Sequence, residues 1–131
     1  MANSDNVLRG GLTPKTIDIP ELLKILKIDE GPVNILRPEK SAGPEKIYRT
    51  GAKEFALSHI DLQPGSFFKS AMKRSVEVMI CVEGETMITD LSSKKALPLN
   101  RGTSIIIPAA VKQYRIEGKG IIFKAAVPLP F

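Results

Sequence analysis

Two stretches decide how this chain reads: Gly65-Ser-Phe-Phe-Lys-Ser-Ala71-Met-Lys73-Arg-Ser-Val-Glu77-Val-Met-Ile-Cys81-Val-Glu-Gly84, and Gly102-Thr-Ser-Ile-Ile-Ile-Pro108-Ala-Ala-Val111-Lys-Gln-Tyr-Arg115. Five residues separate Gly65 from Ala71-Met72-Lys73, three more lead to Glu77, and six to Gly84. In the second stretch five residues separate Gly102 from Pro108, two lead on to Val111, and three to Arg115. Glycine and proline at such places serve where φ must be positive or a hydrogen-bonded ladder must stop. Side chains alternate along a strand. Ala71, Lys73, Glu77, Met79 and Cys81 share one parity and are expected to face one interior.

Working outward, short runs rich in β-branched and aromatic residues alternate with turn residues. The runs are Glu54–Leu62, Ser75–Val82, Thr86–Leu91, Ala96–Leu99, Thr103–Ile107, Gln113–Glu117 and Ile121–Val127. The breaks are Pro64-Gly65, Glu83-Gly84-Glu85, Asn100-Arg101-Gly102, Pro108 and Gly118-Lys119-Gly120. Strands so spaced predict an antiparallel sandwich or barrel.

The frame resembles that of the cupin superfamily, whose barrels hold a metal with three His and one Glu. The resemblance implies a mainly β fold, a cupin-like antiparallel barrel of the double-stranded β-helix or jelly-roll type. At the positions of the three His this chain has Ala71, Lys73 and Val111, and only Glu77 keeps the pattern. Alanine and valine have no lone pair to donate, and neither does a charged lysine. One carboxylate does not make a transition-metal site, so no metal is expected in this barrel. Lys73 and Glu77 are left as two opposite charges. They either form an ion pair inside the barrel, or Lys73 reaches out of an open end.

Upstream, residues 1–20 have little periodicity and read as an arm. Asp18-Ile19-Pro20-Glu21 opens a helix: Asp18 caps free amides, Pro20 suits the first turn, and Glu21 completes a capping box. Leu22, Leu23, Ile25, Leu26 and Ile28 form its apolar stripe, and Gly31-Pro32 ends it. The division expected is an arm and helix over 1–30, a surface connector over 31–52, and the degenerate barrel over 53–131.

The arm reads Met1-Ala-Asn-Ser-Asp-Asn-Val-Leu-Arg9-Gly-Gly-Leu-Thr-Pro-Lys15, followed by Ile17-Asp18-Ile-Pro-Glu21-Leu22. It resembles a signature of type I mannose-6-phosphate isomerases, close to the form in enteric bacteria. The likeness extends through Phe55-Ala-Leu-Ser, Cys81-Val-Glu-Gly-Glu85 and Gly118-Lys-Gly120, so it covers nearly the whole chain. It implies interconversion of mannose 6-phosphate and fructose 6-phosphate by proton transfer between adjacent sugar carbons. By position it implies that Arg9 is the catalytic arginine and that Lys15 helps hold the phosphate. A guanidinium offers an oxyanion a fixed fork of donors, and an ammonium is a compact charge for phosphate.

The family's zinc ligands, a Gln-x-His pair, a Glu and a further His, lie upstream of this signature. None is present here, so the isolated chain is expected to be inactive. Its expected partners are a sugar phosphate and either the zinc-binding portion or another copy of the chain. The competing reading is a standalone cupin module for dimerisation or for binding a small sugar or phosphate, anchored by Lys73 and Arg115. A metal-dependent dioxygenase is disfavoured by the missing histidines.

Composition narrows the partners. The 131 residues are 43% hydrophobic and 25% charged, an ordinary globular balance. The net charge of +5 comes from scattered lysines, and there is no Trp. Stacking platforms for nucleic acid are scarce, so no nucleic-acid partner is expected. The N-terminus lacks the apolar core of a signal peptide, and no stretch reaches the roughly 18 apolar residues of a membrane span. The single cysteine, Cys81, lies in an apolar run and is expected to be a buried hydrophobe. These features favour a reducing cytoplasm. The single histidine, His59, is expected to be structural.

Overall fold

The computed structural model describes residues 11–12, 14–28, 31–32, 34–41 and 43–129. It divides into two compact units, 1–34 and 35–131.

In the first unit, α1 spans Ile19–Ile25. It starts as the sequence predicts: the Glu21 amide donates to Asp18 Oδ1 at 3.0 Å, and Pro20 occupies the first turn. The end differs. Leu26 already has extended backbone (φ −66°, ψ 113°), so the helix stops before Gly31-Pro32. None of its residues is buried, although the sequence carries an apolar stripe. With seven residues it is also too short to be stable on propensity alone.

Among the described residues, the second unit is an antiparallel sheet of eight strands. They are β1 (Glu39–Lys40), β2 (Glu45–Tyr48), β3 (Ala56–Leu62), β4 (Phe67–Lys69), β5 (Glu77–Asp90), β6 (Ala96–Asn100), β7 (Ser104–Ile107) and β8 (Tyr114–Ala126). The stretch 31–52, expected as a connector, instead contributes β1 and β2. β2 pairs with β3, placing Glu45 opposite Ile60 and Ile47 opposite Ser58. The run Glu45-Lys-Ile-Tyr48 has too few apolar residues to stand out among its charged neighbours.

β5 and β8 organise the unit. They pair from Glu77 opposite Ala126 to Asp90 opposite Tyr114, with a bulge between Cys81 and Glu83. The other edge of β5 pairs β7 near its start and β6 near its end. The other edge of β8 pairs β4 near its start and β3 near its end. Each long strand thus serves two local groups of strands and bends at the bulge to do so.

This corrects two sequence expectations. Glu83-Gly84-Glu85 and Gly118-Lys119-Gly120 are not turns between separate strands. They lie inside β5 and β8, where the two backbones nearly touch. A Cβ on Gly84 would sit 2.1 Å from the Lys119 carbonyl oxygen, and one on Gly120 would sit 2.4 Å from that of Glu83.

The core gathers the inward residues of these strands, among them Ile60, Leu62, Met79, Leu99, Tyr114, Ile116 and Ile122. Buried Thr86 donates its hydroxyl to the Leu99 carbonyl at 2.5 Å, so the polar atom inside the core has a partner. Among the described residues no helix is long and apolar enough to cross a membrane.

Candidate functional site

Glu77, Met79 and Cys81 alternate inward on β5, as their parity predicts, and all three are buried. Ala71 and Lys73 do not share that interior. Residues 70–76 are loop rather than strand, which breaks the period of two, and Lys73 is exposed. Of the two alternatives for Lys73, an ion pair with Glu77 or a side chain reaching outward, the structure takes the second, and the cation beside Glu77 is Arg74.

Arg74 Nη1 lies 3.2 Å from Glu77 Oε2, and both side chains are almost wholly shielded from water. Its Nη2 donates to the carbonyls of Pro108, at 2.9 Å, and of Val111. The Tyr114 hydroxyl donates to the same Glu77 oxygen at 2.9 Å. From the facing strand, Lys124 Nζ lies 3.6 Å from Glu77 Oε1 and 2.6 Å from Glu45 Oε1. The Ser58 hydroxyl also donates to Glu45, at 2.7 Å. Two carboxylates and two cations thus balance in the barrel interior. Burial, and next the negative charge of Glu77, hold the Tyr114 phenol protonated far above its ordinary range.

Three elements bring these groups together. Lys124 has the inward parity of Ile122 on β8, and Glu45 faces it from β2 across β3. The loop that carries Arg74 is tied down at Ser70: its amide donates to the Tyr114 carbonyl, and its hydroxyl accepts from the Tyr114 amide, each at 3.0 Å. Arg74 was visible in sequence only as a neighbour of Lys73. Lys124 could have been found as a lysine at an inward position between Ile122 and Ala126.

Arg115, the other anchor of the binding-module reading, is not part of this interior. It lies between inward-facing Tyr114 and Ile116, pairs with Glu117 at 2.7 Å, and covers the Phe67 ring at 4.0 Å from its centroid. Val111 packs against the core. Zinc does not fit this donor set. The frame supplies Ala71, Lys73 and Val111 where ligands would stand, and the Glu77 carboxylate is already engaged by Arg74 and Tyr114. Among the described residues no three His, Cys, Asp or Glu side chains gather as a metal-binding group.

Of the arm's two candidates, Lys15 lies exposed in a bend, and Arg9 falls outside the described residues. His59 points outward from β3, its ring 5.7 Å from those of both Tyr48 and Phe123. Burial and then the nearby Lys46 lower its pKa, against the pull of Asp61. Those contacts suit a packing role. Cys81 is fully buried, and burial pushes its thiol pKa up. We expect iodoacetamide to label it at least about 100-fold more slowly in the native chain than in urea. Equal rates, read by mass spectrometry, would show that the thiol is accessible.

Comparison with known proteins places these features. The family described as mannose-6-phosphate isomerase, cupin domain, matches residues 45–127. The chain is 37% identical over 121 residues to the mannose-6-phosphate isomerase of Escherichia coli, covering 92% of this chain and 30% of that protein. It is 31% identical over 115 residues to that of Bos taurus, covering 83% of this chain and 27% of that protein. A crystal structure of the Salmonella typhimurium mannose 6-phosphate isomerase, bound to its substrate fructose 6-phosphate and to zinc, superposes with a TM-score of 0.76 at 35% identity. It covers 98% of this chain and 32% of that one. The chain thus spans about a third of the length of these relatives. The match of 45–127 takes in β2 to β8 and the Glu77 network, and on that evidence the chain belongs to the mannose-6-phosphate isomerase family, of which it carries the cupin domain.

Proposed function

We propose that this chain acts as the C-terminal part of a mannose-6-phosphate isomerase, contributing substrate-binding cations to an aldose–ketose interconversion in the cytoplasm. The supporting observation is the likeness to a relative that holds fructose 6-phosphate and zinc, which covers 98% of the chain and so includes the arm as well as the barrel. In this reading Arg9 is the catalytic residue. Its guanidinium offsets the negative charge that develops on the sugar oxygens as a proton moves between adjacent carbons. Lys15 binds the phosphate. Zinc belongs to a portion of the enzyme that these residues do not supply, and the partner of this chain is that portion or a protein providing it. In this reading both reacting cations come from the arm.

The 131-residue chain alone is expected to show no zinc-dependent isomerisation of mannose 6-phosphate. Substituted for the matching third of the Escherichia coli relative, it is expected to support turnover. In that chimera Arg9→Ala should lower kcat about 100-fold or more. Lys15→Ala should act mainly on KM for the sugar phosphate, by about tenfold. Activity of the isolated chain, or a chimera indifferent to Arg9→Ala, would refute the assignment.

A further inference from the structure

The loop that displaced Lys73 leaves an open cleft of about 560 Å³ over the barrel interior, with Ala71 at its wall and Glu45, Glu77 and Lys124 among its lining residues. Charges are seldom left so deep in a barrel, because well-packed apolar residues there are often at least as stable. Here they also face open space. Glu77 is 4% exposed, yet only one of its carboxylate oxygens is fully used. Oε2 receives Tyr114 and Arg74, while among the described residues Oε1 has only Lys124 at 3.6 Å, beyond a normal hydrogen bond. Lys124 has three donors; among the described residues it meets Glu45 at 2.6 Å and lies 5.1 Å from the centroid of the Phe68 ring.

An acceptor and a donor 3.6 Å apart leave room for one oxygen at about 2.8 Å from each. A hydroxyl meets both demands, donating to Glu77 Oε1 and accepting from Lys124. Gln113 extends the same chemistry. Its amide nitrogen donates to the Ser70 carbonyl at 2.9 Å, which leaves its oxygen to accept a second hydroxyl. Phe67 and Phe68 add apolar edges to the cleft, one face of the Phe67 ring lying under the Arg115 guanidinium. The buried charges cancel, Glu45 and Glu77 against Lys124 and Arg74, and only Lys69 adds a cation among the lining residues. The floor is therefore built for hydroxyls rather than for a phosphate.

We infer that this cleft binds an uncharged, polyhydroxylated ring such as a hexopyranose, with one hydroxyl bridging Glu77 and Lys124. All the groups involved belong to the unit 35–131, so the site is tested independently of Arg9 and Lys15. The test is an amide NMR titration of the full 131-residue chain with D-mannose, and in parallel with inorganic phosphate. D-Mannose is expected to shift the amides of Ser70, Ala71 and Gln113 saturably, with half-saturation at about 1–10 mM. Ala71→Trp fills the cleft without touching the charged groups and should weaken binding more than tenfold, leaving the remaining amides in place. Absence of saturation by about 100 mM D-mannose, or unchanged affinity in Ala71→Trp, would overturn the site. Phosphate shifting those amides while D-mannose does not would overturn the ligand class.

Discussion

Glu77→Ala is expected to destabilise the barrel by about 3–5 kcal/mol, the range found when one partner of a buried ion pair is removed. The Arg74 guanidinium that remains is 4% exposed, its Nε already lacks a hydrogen-bond partner, and Tyr114 loses the acceptor of its hydroxyl. Domains of this size have roughly 5–15 kcal/mol in total, so the loss should be plain in the urea midpoint with little change in slope. Lys73→Ala is the informative companion. Lys73 is exposed and outside the network, so its removal should stay within about 0.5 kcal/mol. If Lys73→Ala were as damaging as Glu77→Ala, the assignment of Arg74 as the partner would fail. Replacing both charges with apolar residues, Glu77→Leu with Arg74→Met, should recover much of the loss, because no buried charge is then left unpaired on that side.

The second large effect is expected at the crossing of β5 and β8. Gly84→Ala combines two penalties. Its φ of +84° costs a residue with a Cβ about 1–2 kcal/mol. The added carbon would also lie 2.1 Å from the Lys119 carbonyl oxygen and 2.7 Å from the Gly120 Cα, both backbone atoms. Neither can turn aside as a side chain would, so the strands must separate, at a further cost of about 1–3 kcal/mol. Gly102→Ala separates the two terms. Its φ is +85°, but nothing lies within 4 Å of the added carbon, so it should show the conformational cost alone. Equal losses in the two variants, measured by thermal or urea unfolding, would mean that β5 and β8 do not approach as closely as the structure shows.

Glycines at a strand crossing and glycines at a turn look alike in sequence. Glycine ends a strand at a turn, and it also sits where another backbone comes close. Both uses leave the same residue in the sequence. Gly102 follows the first, in the turn between β6 and β7, and Gly84, Gly118 and Gly120 follow the second. Only the strand opposite distinguishes them, and that strand lies more than thirty residues away along the chain.

Local chemistry was legible for local reasons. The Asp18 cap, the alternation Glu77-Met79-Cys81 and the spacing from Gly65 to Gly84 each lie within a single short window of sequence. The poor donor set at the frame's histidine positions could be read the same way, because Ala71 and Val111 have no lone pair and a charged Lys73 has none. The family likeness rested on stretches of contiguous residues. The cation beside Glu77 was a different matter. Parity counts inward and outward positions only while the chain stays extended, and the loop over 70–76 resets the count, turning Lys73 out and Arg74 in. Lys124 and Glu45 reach Glu77 through strand pairings on β8, β3 and β2, which no short window of sequence contains. By itself, the sequence determined the fold class, the family and which residues stand at the frame's three histidine positions, because each follows from residue type and short spacing. The tertiary structure alone decided which charges fill the barrel, because charges far apart in the chain become partners only when the sheet closes around them.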